Sequence, residues 1–221
     1  MQAVLLWGFV HIMLFVFWLG TDVGVFTAAL MARNAKRSFE ARMSLIRLAL
    51  IVDVFPRVCF SLMLPVGLQL TDALSLYPLS NQLLLVAWSL SAYWLVTIVI
   101  VARNEGRRIA LIASRLAMIS HAIVGLIFVV IGMNSLATGA PLVETWFAVK
   151  FLLYGLVFWT AIAIDVCFSP FLGPFMEIGQ HGSSPEREEA VTRAINNTLV
   201  AVVTLYVMIA AIAFIGKVKP F

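Results

Sequence analysis

The first thirty residues form an almost unbroken apolar run, which is long enough to predict a helix that crosses a membrane. His11, Trp18 and Asp22 lie inside this run. An ionisable side chain within a membrane span is costly and indicates function by default. Because each helical residue turns by about 100°, the three side chains return to within roughly 20° of one direction. We therefore predict that one stripe of this helix faces away from lipid.

The whole chain is unusually apolar. Hydrophobic residues make up 62% of its 221 residues and charged residues 12%, whereas soluble domains are roughly 45–50% apolar. Runs of about 20 apolar residues, the length that spans the hydrocarbon core, predict an all-α integral membrane protein whose single domain, residues 1–221, is a six-helix transmembrane bundle. The predicted spans are residues 3–27, 44–69, 82–102, 109–132, 145–168 and 194–215.

Positive charges are unevenly distributed between the predicted spans. Eleven of the fifteen Lys and Arg residues fall on one side, whereas the connections at residues 71–81 and 137–144 have none. The positive-inside rule then places both termini outside and the basic connections in the cytoplasm. A membrane surface accounts for the net charge of +4, so we expect the lipid bilayer as a partner and no nucleic acid. Residues 169–189 are predicted to form a surface loop before the last helix, and Ser184 and Pro185, before Glu186, are predicted to start that helix.

Three nitrogen-bearing side chains are predicted at a common depth. From a rise of 1.5 Å per residue, His11, Lys150 and His121 each lie roughly 8 to 12 Å below the outer surface. Their nitrogens can ligate iron or copper, so we predict these three residues as metal ligands. Two alternatives stay open: the histidines form hydrogen bonds between helices, and Lys150 extends to the outer interface.

Arg57 is predicted close to the same level. Its guanidinium would suit a buried propionate or another carboxylate of a cofactor. The alternative is an ion pair with Asp53, one helical turn earlier. Cys59 and Cys167 show no Cys-x-x-Cys spacing, which argues against a disulfide framework or a zinc site.

Four stretches of the chain resemble one membrane protein family in the same order. Residues 11–20 resemble the first-helix His-x6-Trp-x-Gly pattern of the HemJ protoporphyrinogen oxidase family and of the related CopD-like copper-resistance proteins. The other three are Arg47-Leu48 with Pro56 and Gly67, residues 146–150, and residues 193–197 with the final Lys219-Pro220-Phe221. HemJ proteins typically have four helices, whereas residues 82–132 here add two spans.

The resemblance implies a b-type haem held by the residues that match His11 and Lys150, with Trp18 and Trp146 as further cofactor-binding residues. His121, in an added span, offers a His/His alternative. The implied protein is a haem-dependent oxidoreductase or electron carrier of the bacterial inner membrane. A redox partner protein or a quinone, and a homo-oligomer, are compatible with this hypothesis.

Two other functions stay open. Nine Met and two Cys residues offer soft ligands for copper, although no Met-x-x-Met outer loop is present. A non-catalytic anchor or assembly subunit would use the basic connections as docking surfaces. The absence of a Gly-rich nucleotide loop and of a catalytic triad argues against nucleotide-driven pumps and hydrolases.

Overall fold

The computed structural model of the protein describes residues 1–104 and 106–220, and the chain is 87% helical. No strand occurs within the described residues. The helices are α1 (Gln2–Ala32), α2 (Phe39–Val52), α3 (Val54–Ala73), α4 (Asn81–Arg103), α5 (Arg108–Thr138), α6 (Thr145–Phe168), α7 (Leu172–His181) and α8 (Pro185–Val218). A short 3-10 turn, Ser169–Phe171, joins α6 to α7.

Within residues 1–104 and 106–220, six helical segments are long and apolar enough to cross a membrane. Two of them combine successive helices: Phe39–Ala73 contains α2 and α3, and Thr145–His181 contains α6 and α7. The prediction of an all-helical chain with six segments long and apolar enough to span a membrane is confirmed.

The predicted surface loop at residues 169–189 is wrong. Most of it is helical. The predicted helix start at Ser184 and Pro185 is confirmed, because α8 begins at Pro185, nine residues before the predicted membrane span at 194–215. The Gly and Pro residues of this segment indicate a loop, but Phe175 and Ile178, three residues apart, are both buried and hold α7 in place. α7 ends at Gly182, whose φ of 82° favours glycine, and Ser184 then caps α8 by accepting a hydrogen bond from the Arg187 amide.

The helix is interrupted between α2 and α3 at Asp53. Pro56 follows three residues later and has no N–H to donate to the carbonyl of Val52. The side chain of Arg57 returns to Asp53 instead, with Nε donating to Oδ2 over 2.5 Å. The second predicted span is therefore two helices rather than one.

The chain divides into two compact units. The first unit consists of Met1–Val23 and Val52–Ser120, and the second consists of Gly24–Ile51 and the chain from His121 onward. In the first unit, α3 and α4 run antiparallel: Ser91 Oγ donates to the Ser61 carbonyl over 2.7 Å, and Phe60 stacks on Trp94. The single transmembrane domain stays a prediction.

In the second unit, α6 packs along α8, and α7 packs against the first part of α8. The core there includes Phe171 and Phe175 beside Val191 and Ile195 of α8. Apolar burial thus extends beyond the end of α6 and fixes α7 to the beginning of α8.

Candidate functional site

The polar and aromatic stripe of α1 faces the interior of the first unit. Trp18 is only 5% exposed and lies 5.3 Å from Phe60 between ring centroids, while Trp7 lies 6.3 Å from Trp88. Asp22 is also buried. The large apolar residues on the other faces of α1 are exposed; these include Leu5, Leu6, Phe9, Ile12, Val16 and Phe17. The predicted stripe is therefore confirmed.

His11 lies on this stripe and contacts α3 at Gly67. A Cβ built on Gly67 would stand 3.6 Å from His11 Cε1 and 3.8 Å from Nδ1, which is ordinary van der Waals contact. A methyl group at position 67 would therefore fit, but a larger side chain would need the space that the imidazole fills. Gly67 thus shapes the niche in which the ring lies.

His121 belongs to the second unit, on α5. Its ring lies 5.7 Å from the ring of Phe158 on α6, and the neighbouring Trp159 donates from Nε1 to the Ala122 carbonyl over 3.3 Å. Further along the same pair of helices, a Cβ on Gly132 would stand 2.7 Å from the Leu152 amide nitrogen. α5 and α6 therefore run antiparallel in close contact, with His121 at the level of Phe158.

Lys150 also belongs to the second unit, on α6, but it contacts α8. Its Nζ lies 2.9 Å from the position that a Cβ on Gly216 would occupy. One turn earlier on α6, Trp146 is buried, and the Lys219 Nζ lies over its ring, 4.7 Å from the centroid. Lys150 and Trp146 thus face the end of α8.

The predicted common depth is wrong for His121 and Lys150. Lys150 precedes Phe158, the neighbour of His121, by eight residues, which corresponds to about 12 Å along α6. The estimate for His121 counts from the inner start of its helix and assumes a hydrocarbon core of about 30 Å. It failed because α5 has 31 residues, which corresponds to about 46 Å. The two axial ligands of one iron must approach the same atom, so this separation argues against His121 and Lys150 as a pair.

Arg57 forms the predicted ion pair with Asp53, and its side chain is 46% exposed. This contact confirms the intrahelical alternative for the side chain. A role of Arg57 toward a cofactor carboxylate stays a prediction.

Metal ligands do not cluster in the described residues. No group of three or more His, Cys, Asp or Glu side chains there could hold a metal ion. Cys59 and Cys167 are both free thiols. The donor set fits haem better than a bare ion, because a porphyrin supplies four nitrogen ligands of its own and needs only one or two axial side chains.

Two contacts of the second unit were not predicted from the sequence. Arg42, counted as a loop cation, is 1% exposed and donates from Nη1 to Glu188 Oε1 over 2.9 Å. Gly216 and Lys219 meet Lys150 and Trp146, although they lie about seventy residues away in the sequence. A glycine and a lysine close to the end of an apolar helix are the only sequence signal for the second contact.

No protein-family model, curated protein or solved structure matches this chain.

Proposed function

We propose that the protein is a haem b-binding membrane oxidoreductase or electron carrier, similar to HemJ proteins, with His11 as an axial ligand. The observation that carries the proposal is the position of His11: an imidazole inside a helix that is long and apolar enough to cross a membrane, in contact with Gly67 of α3. An ionisable group in such a place is costly to retain without a function. Haem b, when bound, supplies one-electron chemistry.

The chain's own residues would position the cofactor in three ways. His11 supplies a ring nitrogen, and Gly67 leaves room for the ring. Trp18, in ring contact with Phe60, supplies an apolar surface about two turns further along α1. The second axial ligand, His121 or Lys150, stays a prediction.

The distribution of Lys and Arg supports a finer proposal about topology. With the basic connections in the cytoplasm, both termini face outside, and His11 lies in the outer half of the membrane. We infer a bacterial inner membrane from the same resemblance that implies haem.

The test is the spectrum of the purified protein, expressed with haem supplied. We expect a Soret band, a pyridine haemochrome of the b type and loss of bound haem in His11→Ala. His181→Ala is the matched control, because His181 is exposed at the end of α7. The variants His121→Ala and Lys150→Met identify the second ligand by the change in the visible spectrum.

Two results would overturn the proposal. One is a protein without a Soret band under these conditions. The other is equal haem content in the His11 and His181 variants. Stoichiometric copper without porphyrin would favour copper handling of the CopD type instead.

A further inference from the structure

Two lysines lie on neighbouring contacts between α6 and the end of α8. The first contact joins Lys150 to Gly216, with Nζ 2.9 Å from a glycine Cβ position, and the second joins Lys219 to the face of Trp146 at 4.7 Å. Trp146 and Lys150 are four residues apart, and Gly216 and Lys219 are three apart. The two contacts are therefore separated by about 5 Å along the helices.

Their charges are not neutralised by the described part of the protein. Neither lysine forms an ion pair there, and Glu144, the carboxylate nearest to Lys150 in sequence, is exposed and pairs with neither. The N-terminus of α6 adds partial positive charge beside these lysines, whereas the C-terminus of α8 adds partial negative charge. An anion within reach of both ammonium groups would neutralise their charge.

Trp146 and Gly216 shape the surroundings of the two lysines. Trp146 is 5% exposed, so its ring forms a fixed wall, and Gly216 lets Lys150 approach the α8 backbone. Lys219 is exposed and Lys150 is half-buried, so a ligand from outside the protein would meet Lys219 first.

We propose that Lys150 and Lys219 form a binding site for a phosphate group. A phosphate carrying nearly two negative charges matches two ammonium groups better than a single carboxylate does, and lysine binds phosphate as a compact point charge. The phosphate of a lipid headgroup and free inorganic phosphate share this chemistry. The proposal does not depend on haem binding by His11, but it is incompatible with Lys150 as the second axial ligand, because an ammonium has no lone pair to donate.

The test is calorimetric titration of the full-length protein in detergent with two probes, sodium phosphate and dihexanoyl phosphatidic acid. We expect Lys150→Gln and Lys219→Gln each to weaken binding about tenfold, as expected for the loss of one charge-assisted hydrogen bond. Lys217→Gln is the matched control: it removes the same charge from the exposed end of α8, and we expect less than a twofold change. Binding of both probes supports a general phosphate site, and binding of phosphatidic acid alone supports a lipid headgroup site.

A second pair of variants tests the geometry without removing a charge. Gly216→Ala places a methyl carbon 2.9 Å from the Lys150 Nζ, so the ammonium must shift and we expect weaker binding. Gly20→Ala meets no atom within 4 Å and serves as its control. Equal effects of the Lys217 and Lys219 variants would overturn the proposal. So would a Lys150→Gln protein that melts at a lower temperature but binds both probes unchanged, since that result indicates a structural lysine. If Lys150→Gln does not fold, the Gly216 and Lys219 variants still test phosphate binding at this site.

Discussion

Arg42 and Glu188 form an ion pair through a single hydrogen bond, from Nη1 to Oε1 over 2.9 Å. The second nitrogen of the guanidinium, Nη2, and the second carboxylate oxygen, Oε2, are buried without a partner among the described residues. Arg42 also donates from Nε to the carbonyl of Ala32, at the end of α1, and its guanidinium lies 5.3 Å from the Phe175 ring centroid. One side chain thus links the end of α1 and the beginning of α8 with α7.

Arg42→Ala should destabilise the protein strongly. It leaves the carboxylate of Glu188, whose side chain is 14% exposed, without its cation, and loss of one partner of a buried pair costs about 3–5 kcal/mol. The measurement is thermal unfolding in detergent. Arg193→Ala is the control, because Arg193 and Glu189 pair on the surface at 70% and 69% exposure, where such pairs contribute about 0.5 kcal/mol. Equal melting temperatures of the two variants would contradict the assigned role of Arg42.

The contact between α5 and α6 should not tolerate a methyl group at Gly155. A Cβ there would stand 2.6 Å from the Gly125 carbonyl oxygen and 2.8 Å from the Val129 amide nitrogen, and neither backbone atom can move alone. Gly155→Ala should therefore cost about 1–3 kcal/mol through overpacking. Gly20→Ala, with open space around the new methyl group, should be neutral or slightly stabilising because alanine favours helix. A melting temperature of Gly155→Ala at or above that of the unmodified protein would show that the helices can separate at no cost.

The sequence predicted the parts of this fold that depend on local pattern. Six apolar runs gave six spans, the spacing of His11, Trp18 and Asp22 gave the inward stripe of α1, and the i, i+4 spacing gave the Asp53–Arg57 pair. The errors arose where tertiary packing decides. α7 is held by burial of Phe175 and Ile178 in a segment whose Gly and Pro residues indicate a loop.

Depth was the weakest part of the prediction. The predicted depth of His121 rests on a count from the inner start of its helix and on a core of about 30 Å. α5 has 31 residues, about 46 Å, so the distance from His121 to the other end of the helix is longer than this count assumes. The contacts of Arg42 with Glu188 and of Lys150 with Gly216 join residues far apart in the sequence. No local pattern identifies such pairs, because they depend on how α1, α2, α6 and α8 pack.

The proposed topology predicts which added cysteines react from each side of the membrane. In a background with Cys59 and Cys167 replaced by alanine, Lys36→Cys should react with an impermeant maleimide only in inverted vesicles, since the proposed topology puts the basic connection between α1 and α2 in the cytoplasm. Lys217→Cys should react in intact cells. The reverse pattern would invert the topology and place His11 in the inner half of the membrane.

Gly67 should separate a haem role of His11 from a packing role. The Cβ position of Gly67, 3.6 Å from His11 Cε1, leaves room for a methyl group, so Gly67→Ala should keep the ring in place. The added methyl groups of Gly67→Val extend toward the imidazole, and we expect the ring to be displaced from its niche. If His11 ligates haem, bound haem per protein, measured by pyridine haemochrome, should fall severalfold in Gly67→Val and stay near the unmodified value in Gly67→Ala. If His11 only packs, the valine variant should lower the melting temperature while haem content stays unchanged, and that combination would contradict ligation by His11.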